Sequence, residues 1–224
     1  AAHTGLFNGD YRLVGNYRSQ WFDVPVSYQT VSLTFDAHLL PYRLNNDVWG
    51  LGVTFNHDQA GDGQLAALNV LVSTAYTKRI TKNFFVGAGV QLGYNNRRYR
   101  LDKLTFNDQF NGDVYDPNLV SFDQTKFAGN TNIHYFDINS GLNLRYQSSK
   151  RFWVNFGGGV FHLNQPNMSF LGVEGVLLPI RWNLMANASI PVSERVDVIP
   201  MVLFQRQLSY QEVIYGANVR YHFN

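Results

Sequence analysis

The stretch that most constrains this chain is residues 65–98, because its hydrophobic period excludes a helix. From Leu68 it places Leu68, Val70, Val72, Thr74 and Tyr76 on one face and Asn69, Leu71, Ser73, Ala75 and Thr77 on the other. After a basic turn, residues 78–83, it resumes with Phe84, Val86, Ala88, Val90, Leu92 and Tyr94 against Phe85, Gly87, Gly89, Gln91, Gly93 and Asn95. The period is two rather than 3.6, and it outlasts the roughly 5–6 residues of an ordinary globular strand. One face is apolar and ends in aromatics, while the other is small and polar. In a membrane barrel the apolar face meets lipid and the polar face meets the lumen. The ten steps from Phe84 to Tyr94, at about 3.3 Å each and a tilt near 40°, cover roughly 25 Å of height, the thickness of a barrel's apolar band. The two aromatics would then stand in the two interfacial girdles.

Composition agrees with that reading. The mean hydropathy is −0.20, and no run approaches the roughly 18 apolar residues of a spanning helix. Alternating strands average out to such a value. Aromatics make up 15% of the 224 residues, with 13 Tyr and 17 Phe, which suits interface belts. Charged residues, also 15%, fall below the roughly 25% of soluble domains. The chain has no cysteine and a net charge of +2 spread along its length. That balance gives no case for nucleic acid. No signal peptide is visible at Ala1, so the chain reads as mature or trimmed.

About ten long strands follow the same alternation. The first is 11–21, with Tyr11, Leu13, Gly15, Tyr17 and Trp21 against Arg12, Asn16, Arg18 and Gln20; the second is 28–39 and the third 48–57. Residues 65–98 supply the fourth and fifth. In the sixth, 135–147, Phe136, Ile138, Leu142, Leu144 and Tyr146 face lipid and Asp137, Asn139, Asn143, Arg145 and Gln147 face inward. The eighth sets Ile180, Trp182 and Leu184 against Arg181, Asn183 and Asn187, and the tenth sets Tyr215, Val219 and Phe223 against Asn218, Arg220 and His222. The seventh, 152–162, and ninth, 196–207, alternate less cleanly, and their facing stays open. Connections after strands four, six and eight are short, whereas those after five and seven, 101–131 and 163–175, are long. Outer-membrane barrels put short turns in the periplasm and long loops outside. The expected fold is therefore all-β: one transmembrane, antiparallel, up-and-down β-barrel domain over 1–224, with both ends periplasmic. Lys78, Arg79, Lys82, Lys150, Arg151 and Arg195 make the short-turn rim basic and stop the strands.

Few constellations carry chemistry. Gly87, Gly89 and Gly93 share one strand face with no helix after them, so close packing in the lumen explains them better than a nucleotide loop. Six histidines (His3, His38, His57, His134, His162 and His222) show no metal-ligand spacing. The acidic loop 107–123, with Asp108, Asp113, Asp116 and Asp123, lacks the ordered run of a calcium loop. Ser140 and Ser189 cannot be matched to a histidine at the same height, so no catalytic residue, cofactor or metal is assigned. The inward ladder of Arg12, Arg18, Asp137, Asn139, Asn143, Arg145, Asn183, Asn218 and Arg220 projects into one cavity. It either pairs across the lumen with itself and water or lines a site for a plug or inserted polypeptide.

The chain resembles the PorP/SprF family of outer-membrane proteins of the Bacteroidota type IX secretion system. Ala1-Ala2-His3-Thr4-Gly5 resembles the end of the family's Asn-Pro-Ala-x-x-Gly opening, and Tyr17-Arg18-Ser19-Gln20-Trp21 its Tyr-Arg-x-Gln-Trp signature. Gly50-Leu51-Gly52-Val53, Asn56-His57-Asp58 and Asn164-Gln165-Pro166-Asn167-Met168-Ser169-Phe170 sit where the family has similar runs. Beginning inside one motif and stopping at Asn224, the chain reads as part of a larger barrel with more strands. The resemblance implies a non-enzymatic barrel that helps secrete, or hold at the surface, an adhesin or other cargo through its C-terminal domain. It also implies periplasmic lipoprotein partners and a link to gliding. A passive or substrate-selective porin for small solutes is the rival expectation, and a barrel enzyme a third.

Overall fold

The computed structural model describes residues 1–7, 9–21, 23, 27–39, 47–61, 63–116, 118–119, 121–122 and 130–223. Long period-two runs separated by turn residues fold as strands, in sequence: β1 Tyr11–Gln20, β2 Tyr28–Leu39, β3 Val48–Ala60, β4 Leu65–Arg79, β5 Phe84–Arg98, β6 Asn132–Gln147, β7 Trp153–Phe161, β8 Arg181–Pro191, β9 Val196–Gln207 and β10 Tyr210–Tyr221. They form one sheet in the order β1 to β10, each strand antiparallel to its sequence neighbour. The ten-strand, all-β, up-and-down expectation is met. Among the described residues no ladder joins β1 to β10, so the sheet does not close between them.

Facing follows the alternation read from the sequence. Val90, Leu92, Phe136 and Leu142 lie exposed on the outer face, while Asp36, Ser73, Thr77, Asn95, Asp137, Asn139 and Asn143 are buried on the inner one. Register assigns the two open strands: Trp153, Gly157, Gly159 and Phe161 of β7 and Ile199, Met201 and Leu203 of β9 share the inner face with Asn143, Asn183 and Met185. Those strands had no clear alternation because β7 carries three successive glycines and β9 is apolar on both faces from Val198 to Phe204.

Several strand ends differ from expectation. β3 runs on to Ala60 and β6 starts at Asn132, since polar residues beyond the apolar band still complete the ladder. β10 starts at Tyr210 rather than Tyr215, because Leu208 and Ser209 alone turn the chain back from β9, Leu208 with φ +53°. The two-residue turn lies at the same end as the long connections, so loop length does not divide the two ends as cleanly as the connections after β4 to β8 suggested. The basic rim stops strands as expected. Arg79 donates to the Thr81 and Lys82 carbonyls, and Arg151 to those of Ser193 and Glu194. Arg151 also pairs with the fully buried Asp197, whose other oxygen takes His222 at 2.7 Å, tying three strand ends together.

Candidate functional site

The inner face carries a track of small residues that only the strand register reveals. Gly50 of β3 stands opposite Ala75 of β4, Ala75 opposite Gly89, Gly89 opposite Gly141, and Gly141 opposite Gly159. The track crosses five strands at one level, and the N-terminal residues 1–7 lie along it. A Cβ on Gly50 would meet the Thr4 carbonyl oxygen at 2.6 Å and the Gly5 Cα at 2.7 Å; one on Gly89 would meet Ala1 and Ala2 backbone at 2.8 Å. One on Gly157 would meet His3 Nε2 at 2.9 Å, and Ala2 Cβ packs over Gly141. Backbone so close to backbone requires glycine beneath it. Ala2 and Thr4 are buried, and Gly5 takes φ +80° at the bend that follows.

Polar contacts fasten the segment. Thr4 Oγ1 donates to Ser73 Oγ at 2.9 Å, and His38 Nε2 donates to the Gly5 carbonyl at 2.7 Å. Phe7 stacks on His38 with centroids 4.5 Å apart, and the Arg12 guanidinium lies 5.0 Å from the Phe7 ring centre. Arg12 is held there by the buried carboxylate of Asp36, Nε to Oδ2 at 2.9 Å. Each contact is worth about 1 kcal/mol or less, but together they fix one path for the segment.

The segment divides the lumen. On the short-turn side lies a chamber of about 850 Å³ bounded by His3, Gly5, Leu6, Phe7, Arg12, Arg145, Lys150, Trp153 and Arg220, among others. Arg12 of β1 and Arg220 of β10 face the same chamber, so the sheet curls until its two unpaired edges look into one space. His3 lines the chamber with its Nε2 buried and, among the described residues, without a hydrogen-bond partner. On the long-loop side, Asp137 Oδ2 meets His162 Nδ1 at 2.9 Å, the His162 backbone N–H donates to Asn139 Oδ1, and Asn139 Nδ2 donates to Gln91 Oε1 at 3.2 Å. Among the described residues neither Ser140 nor Ser189 bonds a histidine; Ser140 faces outward, and Ser189 is buried with its hydroxyl unpartnered.

Compared with known protein families, residues 2–224 match the family model described as "Type IX secretion system membrane protein PorP/SprF". The chain belongs to the PorP/SprF family. No curated protein matches it. Membership in this family makes it a membrane protein with a role in type IX secretion, and gives its apolar outer face a physical partner in lipid.

Within this PorP/SprF chain the nine inward residues do not form one site. Arg12, Arg145 and Arg220 gather at the short-turn chamber, with Asn143 above them. Arg18, Asp137 and Asn139 lie in the long-loop half, Asn183 stands level with the glycine track opposite Gly159, and Asn218 sits exposed on β10. The acidic loop spends carboxylates on its own turns: Asp108 accepts from the Phe122 N–H and Asp116 from that of Asn118. Asp123 lies outside the described residues. Among the described residues no three metal-ligating side chains cluster. Sequence reasoning did not foresee residues 1–7 as the occupant of the glycine track. The Ala2-x-x-Gly5 spacing was the available signal, since a buried small residue and a positive-φ glycine are what the crossing requires.

Proposed function

We propose that this protein is a non-enzymatic β-barrel of the Bacteroidota outer membrane that helps the type IX pathway secrete a large protein or hold it at the cell surface. It receives the C-terminal domain of that cargo, for example a gliding adhesin, at its long-loop end. In this reading the start of β1 and the end of β10 both lie at the periplasmic end of the barrel, where lipoproteins of the machinery dock, while residues 1–7 fold back into the lumen. The observation that carries it is the N-terminal segment crossing the lumen at mid-height. A lumen occupied in this way is a poor water path and a good socket, which favours a receptor over a porin for small solutes. The long connections 101–131 and 163–175, with Arg18, Asp137 and Asn139 beneath them, supply the polar surface that the cargo meets.

Mild-detergent purification from the native membrane, followed by mass spectrometry, tests this. Stoichiometric recovery of a large surface protein, lost when residues 101–131 are deleted, is the expected outcome. A lone barrel that conducts ions in planar bilayers would overturn it.

A further inference from the structure

The short-turn chamber holds charge of one sign. Arg12, Arg145, Lys150 and Arg220 line it, and among the described residues no Asp or Glu does. Arg12 is spent on Asp36, and Asp197, opposite Arg220 in the β9–β10 register, is taken by Arg151 and His222. Arg145, Lys150 and Arg220 therefore face the chamber without a carboxylate partner among the described residues. The Arg145 guanidinium lies 5.1 Å from the centre of the Trp153 ring, and its buried Nε has no acceptor. Cations gathered in a partly desolvated cleft are costly until an anion joins them.

The rest of the wall narrows the class of anion. Asn155 Oδ1 and Asn187 Oδ1 are buried in the same lining without a donor. An inorganic anion such as phosphate in its ionised form brings chiefly acceptors and leaves these two oxygens unmatched, whereas a peptide brings N–H groups together with its carboxylates. Trp153 and Phe85 add flat apolar faces for its side chains. A volume of about 850 Å³ lies within the roughly 300–1,000 Å³ of sites that enclose small ligands.

We propose that this chamber is a receptor for an acidic peptide segment entering from the short-turn end. Arg145, Lys150 and Arg220 pair with its carboxylates, and Asn155 and Asn187 accept from its backbone. The floor is the chain's own His3, Gly5, Leu6 and Phe7, so the occupant rests directly on the segment that divides the lumen. The site is independent of what the long-loop end receives.

The test uses the full chain in detergent micelles and a short rhodamine-labelled peptide rich in Asp and Glu, followed by fluorescence anisotropy. Saturable binding is expected, weakened at least about tenfold between roughly 50 and 300 mM salt. The Asn/Gln version of the peptide should bind at least about tenfold more weakly, as should the acidic peptide to Arg220→Gln. Arg145→Gln should weaken it further. Because Arg145 is half-buried, Arg220→Gln on the exposed edge strand serves as the variant least able to disturb folding, checked by heat-modifiable gel migration. Arg98→Gln, at the far end of β5 on the outer face, should bind as the parent does. Equal binding of the neutral peptide, or no loss in the Arg145→Gln/Arg220→Gln double variant, would overturn the proposal. So would inorganic phosphate displacing the labelled peptide as well as unlabelled peptide does, since that would make the chamber a small-anion site.

Discussion

Along β6, Phe136 and Leu142 are 71% and 62% exposed, whereas Asp137 and Asn143 on the opposite face are 4% and 1% exposed. A soluble sheet has the opposite arrangement, with its apolar face covered and its polar face in water. The contrast teaches that the medium outside the sheet, not hydrophobicity itself, decides which face becomes the interior. A family membership in membrane proteins supplies that medium. The inner face must then satisfy its polar groups from within, and it does so unevenly. Asp137 has His162 and Asn139 has Gln91, while neither amide atom of Asn143 has a partner among the described residues.

The largest effect expected from challenging this contrast is a charge on the outer face. Val90→Arg should cost about 2–4 kcal/mol in vesicles, the penalty for a cation near the middle of the apolar band. Gln91→Arg, one residue along but facing inward, should cost about 1 kcal/mol through its lost bond to Asn139. Denaturant unfolding of the two variants measures the difference, and equal costs would break the contrast.

Gly50→Val comes next, at about 1–3 kcal/mol of overpacking. It should also drive residues 1–7 off the track, because the new Cβ meets their backbone rather than a side chain that can turn away. A cysteine at Thr4 should change from slow to fast labelling by a water-soluble maleimide. Slow labelling in the presence of Gly50→Val would show that the segment does not rely on this glycine. Smaller still, Asn143→Leu should shift stability by no more than about 1 kcal/mol, since it removes two unpartnered polar atoms along with the amide.

The smallest expected effect lies at the rim. Asp47 accepts from the Tyr76 hydroxyl at 2.7 Å and from the Arg79 backbone N–H at 2.8 Å, and these bonds, the first above all, lower its pKa from the ordinary 3.8. A depressed carboxylate stabilises the folded state above its unfolded pKa and loses that contribution as pH falls through the folded value. The melting-temperature difference between the parent chain and Asp47→Asn should therefore be full at neutral pH and fade under strongly acidic conditions. A difference that grew with acidity would refute the assignment.

Strand number and facing were legible in the sequence wherever the two faces differed in polarity, as in β5 and β6. They were illegible in β7 and β9, where Gly157–Gly158–Gly159 and the apolar run around Met201 erase the contrast. The division of the polar ladder into two halves could not be read, because it depends on a coil segment whose path has no period. Glycines 50, 89, 141 and 159 were visible one by one. Their alignment into a single track exists only once the pairing register is known.

The central claim, that this sheet is apolar outside and polar within because its outer face lies in lipid, is tested most directly on β6. The chain has no cysteine, so a nitroxide can be placed singly at each position from 136 to 145 in reconstituted vesicles. Collisions with oxygen, which concentrates in lipid, should peak at Phe136, Ile138, Leu142 and Leu144 and fall at Asp137, Asn139, Asn143 and Arg145. Peaks for a water-soluble nickel reagent at Phe136, Ile138, Leu142 and Leu144, or the absence of any period of two, would contradict the account.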